Sequence, residues 1–299
     1  MSIVTLTLNP CIDRTLWVED HGMAPANIEQ QTGGKGINVA RVLGNLGVKA
    51  IAVCPLGGET GAHFRSLAAA EGITLSAVET ATPTRVIDTY VRRRDNDQRV
   101  EYVRGGEYTA DELDRLENAL YAALPGAELL AICGSASCEA AARRVPGIIN
   151  HAREMGVKVL LDSNGPALTL GVTANPDLIK PNEDELFALT GIKDDHSLAA
   201  NQLIRQGVGG VLASLGMAGC MWAGENFEEY CPSPRVNTIN PVGSGDSFVA
   251  GFIFAAMRGC PPQTALSIAC AAGAANAAMF PAARIQRDDI ERLLGWPLF

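Results

Sequence analysis

Apolar residues along the chain fall into short β-branched runs that alternate with segments of helical spacing. Residues 3–9 (IVTLTLN), 50–56 (AIAVCPL), 129–133 (LLAIC), 157–162 (VKVLLD), 178–181 (LIKP) and 210–216 (GVLASLG) read as strands. Val39, Leu43 and Leu46 recur at helical intervals, Phe64, Leu67 and Ala68 mark a second helix, and residues 139–155 a third. A strand-then-helix rhythm predicts a mostly parallel sheet with helices on both faces. The strands around 219–231 are short and read as antiparallel, and three long helices over 246–258, 262–279 and 288–294 are expected to close the chain.

Two stretches break the rhythm. Residues 12–32 hold no convincing helical pattern, and 85–104 read as two strands joined at the Asp95-Asn96-Asp97 turn. Together they predict a small β layer protruding from the main sheet, placed to cover a site. On a strand neighbours alternate faces, so the Arg92–Arg94 run is read as a solvated edge and not as a clamp. No internal repeat or low-complexity linker interrupts the chain, which is read as one domain over 1–299 with a β lid from 12–32 and 85–104.

Charge and composition narrow the partners. The net charge of −9 argues against nucleic acid and anionic membranes, while leaving room for small anions at a local cluster of positive groups. The apolar run from Thr264 to Phe280 is rich in Ala and Gly and reads as a buried helix, not a membrane span. The start, MSIVTLTLNP, lacks a secretory pattern, and the eight cysteines form no CxxC pair. Buried thiols in a reduced cytoplasm are therefore expected.

Three motifs carry candidate chemistry. GGKGIN (33–38) is a glycine-rich loop entering a helix, suited either to a tight turn or to close approach of a ligand. Walker-loop spacing is absent. KPNEDEL (180–186) puts Asn182 and Glu185 three apart, on one helical face. That spacing suits a capping box, or a magnesium site held through water. NPVGSGDSF (240–248) begins an apolar helix and is either a capped turn or an anion site with a base beside it. In the second case the N–H groups on Gly243, Ser244 and Gly245 face an anion. A carboxylate at Asp246 is then electrostatically awkward unless it takes a proton from an attacking hydroxyl.

In this order, and with NPCID (9–13), GGKGINVARVL (33–43), PTR (83–85), LDSNGPAL (161–168) and SLGMAG (214–219), these motifs resemble the ribokinase-like PfkB carbohydrate kinases over nearly the whole chain. TLTLNPCIDRT and NPVGSGDS are most similar to the phosphohexose branch of that family, the kinases of fructose 1-phosphate, fructose 6-phosphate and tagatose 6-phosphate. The resemblance implies a three-layer α/β/α sandwich with a mostly parallel central sheet and a small β-sheet lid. It implies a kinase passing the γ-phosphoryl group of ATP, with Mg2+, to a ketohexose monophosphate. Asp246 matches the base, and Gly243, Ser244 and Gly245 the hole for the transferred group. Asp13, Gly34, Lys35 and Asn38 match sugar-contacting positions, as does Ser135, and Arg85 matches a basic lid residue for the sugar's own phosphate. Asn182 and Glu185 match the motif tied to magnesium and the nucleotide phosphates; Ser214, Gly216 and Gly219 match the nucleotide strand and turn, and Asn276 the adenine pocket. Dimerisation through the β lid is common among relatives and would shelter an exposed edge.

Two departures bear on the substrate. GSASCEAA (134–141) stands where the branch usually reads GSLPxG, and the segment from Asp13 to Gly33 is short and holds no Lys or Arg after Arg14. The thin basic complement keeps open an acceptor without a phosphate, a free sugar or nucleoside. A non-catalytic sugar sensor is the third reading, and the intact GSGD argues against it.

Overall fold

The structure, a computed structural model, describes residues 2–20, 24–92, 94 and 97–299. The chain begins with β1 (Ser2–Leu6), β2 (Cys11–Val18), β3 (Asn27–Gly33), α1 (Lys35–Asn45), β4 (Ala50–Gly57) and α2 (Gly58–Ala70). There follow β5 (Thr74–Thr80), β6 (Arg85–Arg92), β7 (Gln98–Glu101), α3 (Ala110–Ala123), β8 (Ala127–Cys133) and α4 (Glu139–Glu154). The second half runs β9 (Lys158–Asp162), α5 (Gly165–Val172), β10 (Leu178–Ile179), α6 (Glu183–Thr190) and α7 (His196–Arg205). It ends with β11 (Gly210–Ser214), β12 (Cys220–Gly224), β13 (Phe227–Cys231), α8 (Ser244–Ala256), α9 (Pro262–Ala277) and α10 (Arg287–Leu294).

The period of two along each strand sorts its side chains between two helical layers. Ile3, Ala131, Cys133, Leu160, Leu178 and Leu212 face one core, shared with α1, α8 and α9. Their neighbours Val4, Leu130, Ile132, Leu161, Ile179 and Val211 face the other, under α3 to α7. Among the described residues the main sheet has nine strands in the order β13-β12-β11-β10-β9-β8-β1-β4-β5. It is parallel except for the β11–β12–β13 end, as expected. This is the three-layer α/β architecture that the rhythm predicts.

The interrupting stretches form a second sheet in the order β3-β2-β6-β7. β2 runs parallel to β6 with Cys11 opposite Arg85, and antiparallel to β3 with Cys11 opposite Gly33. The small sheet rests on segments flanking α8 and α9. Gln98 Nε2 donates to Ile239 O at 3.1 Å, Gln31 Nε2 to Ala282 O at 3.2 Å, and the Trp17 and Phe280 rings lie 5.3 Å apart. Arg92 pairs with Asp20 and Asp97, while Arg93 and the Asp95-Asn96 turn lie outside the described residues.

One expectation needs adjustment. β10 keeps two residues, because Pro181 cannot donate to a ladder. The last helix, α10, has 8 residues, as expected, and stops at Gly295, φ 75°. α8 is buried on nearly every side, so it carries no amphipathic stripe. It approaches α9 so closely that a Cβ at Gly251 would lie 2.8 Å from the Ala272 Cβ. All eight cysteines are free thiols, buried except for half-buried Cys260. Among the described residues no helix is long and apolar enough to cross a membrane.

Candidate active site

In a parallel sheet every strand delivers its carboxyl end to one edge, where ligands bind in such folds. Here that edge presents Asn9 after β1, Gly134 and Ser135 after β8, Asp162 ending β9, Lys180 and Asn182 after β10, and Ser214 ending β11. The glycine-rich turn brings α1 to the same edge. Gly34 has φ 111° and a Cβ there would meet Thr7 Cγ2 at 2.8 Å; a Cβ on Gly33 would fall 2.4 Å from Asp13 Oδ2. The glycines are thus required by close approach to β1 and to the Asp13 carboxylate.

α8 starts on Gly243 in the left-handed conformation, φ 79°, with no side-chain cap. Its first-turn N–H groups therefore have no side-chain acceptor. The turn is braced by Asn276, whose Nδ2 donates to Val242 O at 2.8 Å and to Ser244 Oγ at 3.1 Å, while its Oδ1 accepts from Ala283 N at 2.6 Å. Asn276, which the resemblance matches to the adenine pocket, is fully buried. Every polar atom of its amide is spent holding the loop.

Asp246 follows in the first turn of α8, 5% exposed, and accepts a 2.7 Å hydrogen bond on Oδ2 from Asn38 Nδ2. Burial pushes its carboxyl up to about 6 and the Asp162 charge adds to this, against the pull of Lys35, Asn38 and Lys180. Asp162 is fully buried, and its Oδ1 pairs with Lys35 Nζ at 3.2 Å and with Lys180 Nζ at 3.3 Å. The Asp162 carboxylate holds Lys35 well above the ordinary lysine range, hence charged. Its own Oδ2 is buried without a partner. Above Gly245 the nearest group to an added Cβ is Lys180 Nζ, at 4.0 Å. The arrangement can receive an anion at the helix start and a proton at Asp246.

On the far side, a cavity of about 1050 Å³ opens between the carboxyl edge and α9. Asn182, Ser214, Gly216, Gly219, Ser244 and Gly245 all line it, and Phe248 and Ala274 contribute apolar surface. Asn182 and Glu185 form the capping box: Asn182 Oδ1 accepts from Glu185 N at 2.8 Å, and Glu185 Oε2 from Asn182 N at 2.9 Å. Among the described residues no three His, Cys, Asp or Glu side chains cluster as metal ligands.

Asp13 and Arg85 stand where β2 and β6 begin. Burial raises the Asp13 carboxyl, against the Cys11 thiol that donates to it at 3.2 Å. Arg85 donates from Nη1 to Val103 O at 2.8 Å and from Nη2 to Asn9 O at 3.0 Å, leaving its Nε buried and unpaired. Ser135 Oγ accepts from Asn9 Nδ2 at 3.3 Å. The altered GSASCEAA loop thus still brings Ser135 to Asn9, with Gly134 at φ 88°.

The family profile described as pfkB family carbohydrate kinase matches residues 2–280. The chain belongs to that family. It is an enzyme of the carbohydrate-kinase class, passing a phosphoryl group to an alcohol, with the ribokinase-like fold of its neighbours. It is 30% identical over 307 residues to the ATP-dependent 6-phosphofructokinase isozyme 2 of Escherichia coli, covering 98% of each chain. To the 1-phosphofructokinase of Vibrio cholerae it is 29% identical over 280 residues, covering 91% of this chain and 88% of the relative. A crystal structure of Escherichia coli phosphofructokinase-2 superposes with a TM-score of 0.90 at 27% identity, over 98% of both chains.

Four side chains of this carbohydrate kinase's site escaped the motif reading. Lys180 and Asp162 lie inside quoted motifs, KPNEDEL and LDSNGPAL, and a charged residue ending an apolar strand was the available signal. Arg41 interrupts the apolar helix α1, which is signal enough to ask for its partner. That partner, Glu71, gave none: a lone acid closing α2 reads as a surface residue.

Proposed function

We propose that this protein transfers the γ-phosphoryl group of ATP to a hydroxyl of a ketohexose monophosphate, giving a bisphosphate. The observation that carries the reading is the junction at α8: Asp246, buried and held by Asn38, follows directly on the uncapped Gly243–Gly245 turn. The sugar-phosphate names of both curated relatives support the acceptor class.

In this reading the acceptor hydroxyl loses its proton to Asp246 as its oxygen bonds to the γ-phosphorus. The bond from that phosphorus to the β,γ-bridging oxygen breaks, and ADP leaves with the electron pair. N–H groups at the start of α8, with its dipole behind them, hold the transferred group. Lys180, close above Gly245, neutralises charge on it. Positioning and neutralisation are what phosphoryl transfer chiefly needs. The remainder of the nucleotide occupies the large cavity between Ser214–Gly219 and α9. Because the cap uses Asn182 Oδ1 and Glu185 Oε2, the one remaining Glu185 oxygen fits Mg2+ held through water and nucleotide phosphates, not an all-protein cage. Magnesium bound there supplies neutralisation of phosphate charge.

Asp13, Gly34, Lys35, Asn38 and Ser135 take the sugar, and Arg85, with its unpaired Nε, its phosphate. The small sheet, from about 12–32 and 85–104, acts as the lid of a single 1–299 domain, and two copies pair through it. Exposure of Ile28, 48%, on the edge strand β3 supports that pairing.

One observation favours an acceptor without a phosphate. Arg14, the only Lys or Arg from Asp13 to Gly33, is consumed by Asp88 at 2.6 and 2.5 Å. An ADP-release screen over fructose 1-phosphate, fructose 6-phosphate, tagatose 6-phosphate and the free sugars separates the two. Turnover confined to the phosphorylated ketohexoses is expected; a higher kcat/KM on any free sugar would replace the proposal with the second reading.

A further inference from the structure

Behind Asn38 lies a buried charge network that the proposed transfer does not itself use. Arg41, 3% exposed, sits one helical turn beyond Asn38 on α1. Its Nη1 donates to Asn38 Oδ1 at 2.7 Å. Its Nε and Nη2 donate to Glu71 Oε2 at 3.2 and 3.0 Å, and Nη2 also reaches Thr32 Oγ1 at 2.7 Å and the Thr32 carbonyl. Glu71 is satisfied in turn: its Oε1 accepts from Thr32 N at 3.0 Å and from Arg284 Nη2 at 3.0 Å. Arg284 Nε also donates to Gln31 Oε1 at 3.0 Å. One strut therefore joins α1, the end of α2, the root of β3 and the segment after α9.

The two ends of an Asn amide have nearly the same shape, so their chemistry sets which way round it sits. A guanidinium has five donors and no acceptor, so Arg41 compels Asn38 to present its oxygen. The Asn38 NH2, and not its oxygen, then faces Asp246 Oδ2 at 2.7 Å. A donor fixed there favours the ionised carboxylate, the form that can take a proton. With Arg41 gone the amide is free to turn its oxygen toward Asp246, and two facing oxygens are compatible only when the acid is protonated. Charge on Arg41 also strengthens the amide as a donor, since linked hydrogen bonds polarise one another.

We propose that Arg41, anchored by Glu71, is a positioning residue for phosphoryl transfer: it fixes the Asn38 amide so that its NH2 faces Asp246. The proposal rests on the reading that Asp246 takes the acceptor's proton. The other groups acting on Asp246 are Lys35 from α1, Asp162 at the end of β9 and Lys180 after β10, and Cys133 at the end of β8 feels its charge. None of them contacts Asn38 Oδ1 among the described hydrogen bonds, so the orientation of the amide belongs to Arg41.

The experiment compares Arg41→Met, Arg41→Lys and the double variant Arg41→Met/Glu71→Met with the wild type. Breaking a buried pair on one side alone strands a charge, whereas replacing both partners by apolar groups is often tolerated, so the double variant covers a single variant that does not fold. Two readouts are taken. One is the titration of the Asp246 carboxyl followed by 13C NMR, its resonance identified by loss in Asp246→Asn. The other is kcat and KM on whichever sugar phosphate the wild type turns over. In Arg41→Met or the double variant the Asp246 midpoint is expected to rise by about half a pH unit or more. kcat at pH 7 is expected to fall about tenfold with KM for ATP unchanged, and Arg41→Lys, which keeps one donor, to recover part of both. A folded variant whose midpoint or kcat stays at the wild-type value would overturn the proposal. The NMR titration needs no sugar: a wild type that phosphorylates no sugar phosphate sinks the functional reading, while the midpoint still decides whether Arg41 governs Asp246.

Discussion

α6 and α8 both start beside the large cavity, and they start in opposite ways. α6 closes its own N-terminus, because Asn182 and Glu185 each accept from the other's backbone N–H. α8 opens on Gly243 with no side chain over its first turn, and its one carboxylate turns sideways to Asn38. Both junctions look alike on paper: a small or polar residue, an acid three positions on, then an apolar run. The difference lies in whether side chains satisfy the orphan N–H groups: in α8 Ser244 N donates to Pro241 O at 3.2 Å, and those that follow it in the first turn have no side-chain acceptor. A closed start contributes stability, while an open one costs stability and gains an anion site.

The contrast can be strained at several points. Apart from removing the acid itself, the largest expected effect comes from Gly243→Ala, which places a Cβ 3.1 Å from the Ala282 Cβ and 3.2 Å from Ala283 N at a left-handed φ of 79°. Misplacing the open N–H groups should lower kcat roughly 10²-fold, comparable to removing one donor from an anion hole. Unaltered kcat in a folded Gly243→Ala protein would mean that the start of α8 holds no reacting group.

Next is stability against pH. Folding raises the Asp246 carboxyl from 3.8 to about 6, so the folded state binds this proton more tightly than the unfolded chain does. Stability from this group is present at low pH, is lost as pH rises from about 4 through 6, and is flat above. The loss is about 3 kcal/mol at most, from about two pH units at roughly 1.4 kcal/mol each. Urea unfolding of Asp246→Asn should therefore show a gain over wild type at pH 7.5 that shrinks toward pH 4.5. A gain independent of pH would contradict the assigned cause.

Arg85→Ala tests the sugar side. Loss of a charge-assisted contact of roughly 1.5–3 kcal/mol predicts about a tenfold or larger rise in KM for a phosphorylated sugar, with KM for ATP unchanged. The smallest effect belongs to the closed helix start: Asn182→Ala should cost about 1 kcal/mol of stability and leave kcat within tenfold of wild type. A collapse of kcat there would erase the distinction between α6 and α8.

What the sequence reveals follows from how local each signal is. The alternation of β1, β8 and β9 with their helices is legible because a strand buried on both faces must be apolar throughout. Asp246, Asn38 and the glycine turns are legible because each needs a residue type fixed by backbone geometry or chemistry. The Lys35–Asp162–Lys180 cluster is hidden, since it exists only when β9 and β10 lie side by side with α1 against them. The bracing contacts of Asn276 are hidden for the same kind of reason. The resemblance matches it to the adenine pocket, and packing of the 278–286 segment makes its amide a brace for Val242 and Ser244. Glu71 is wholly tertiary: Arg41, Thr32 and Arg284 reach it from three other parts of the chain.

The central claim is that the acid at the open start of α8 takes the acceptor's proton, and single-turnover transfer in Asp246→Asn tests it most directly. ATP binding, measured on the same protein by calorimetry, should stay close to wild type. The rate of transfer from bound ATP should fall by roughly 10²–10⁴, the range that general-base help supplies. Transfer at near wild-type rate by a protein that lacks this carboxylate would contradict the account.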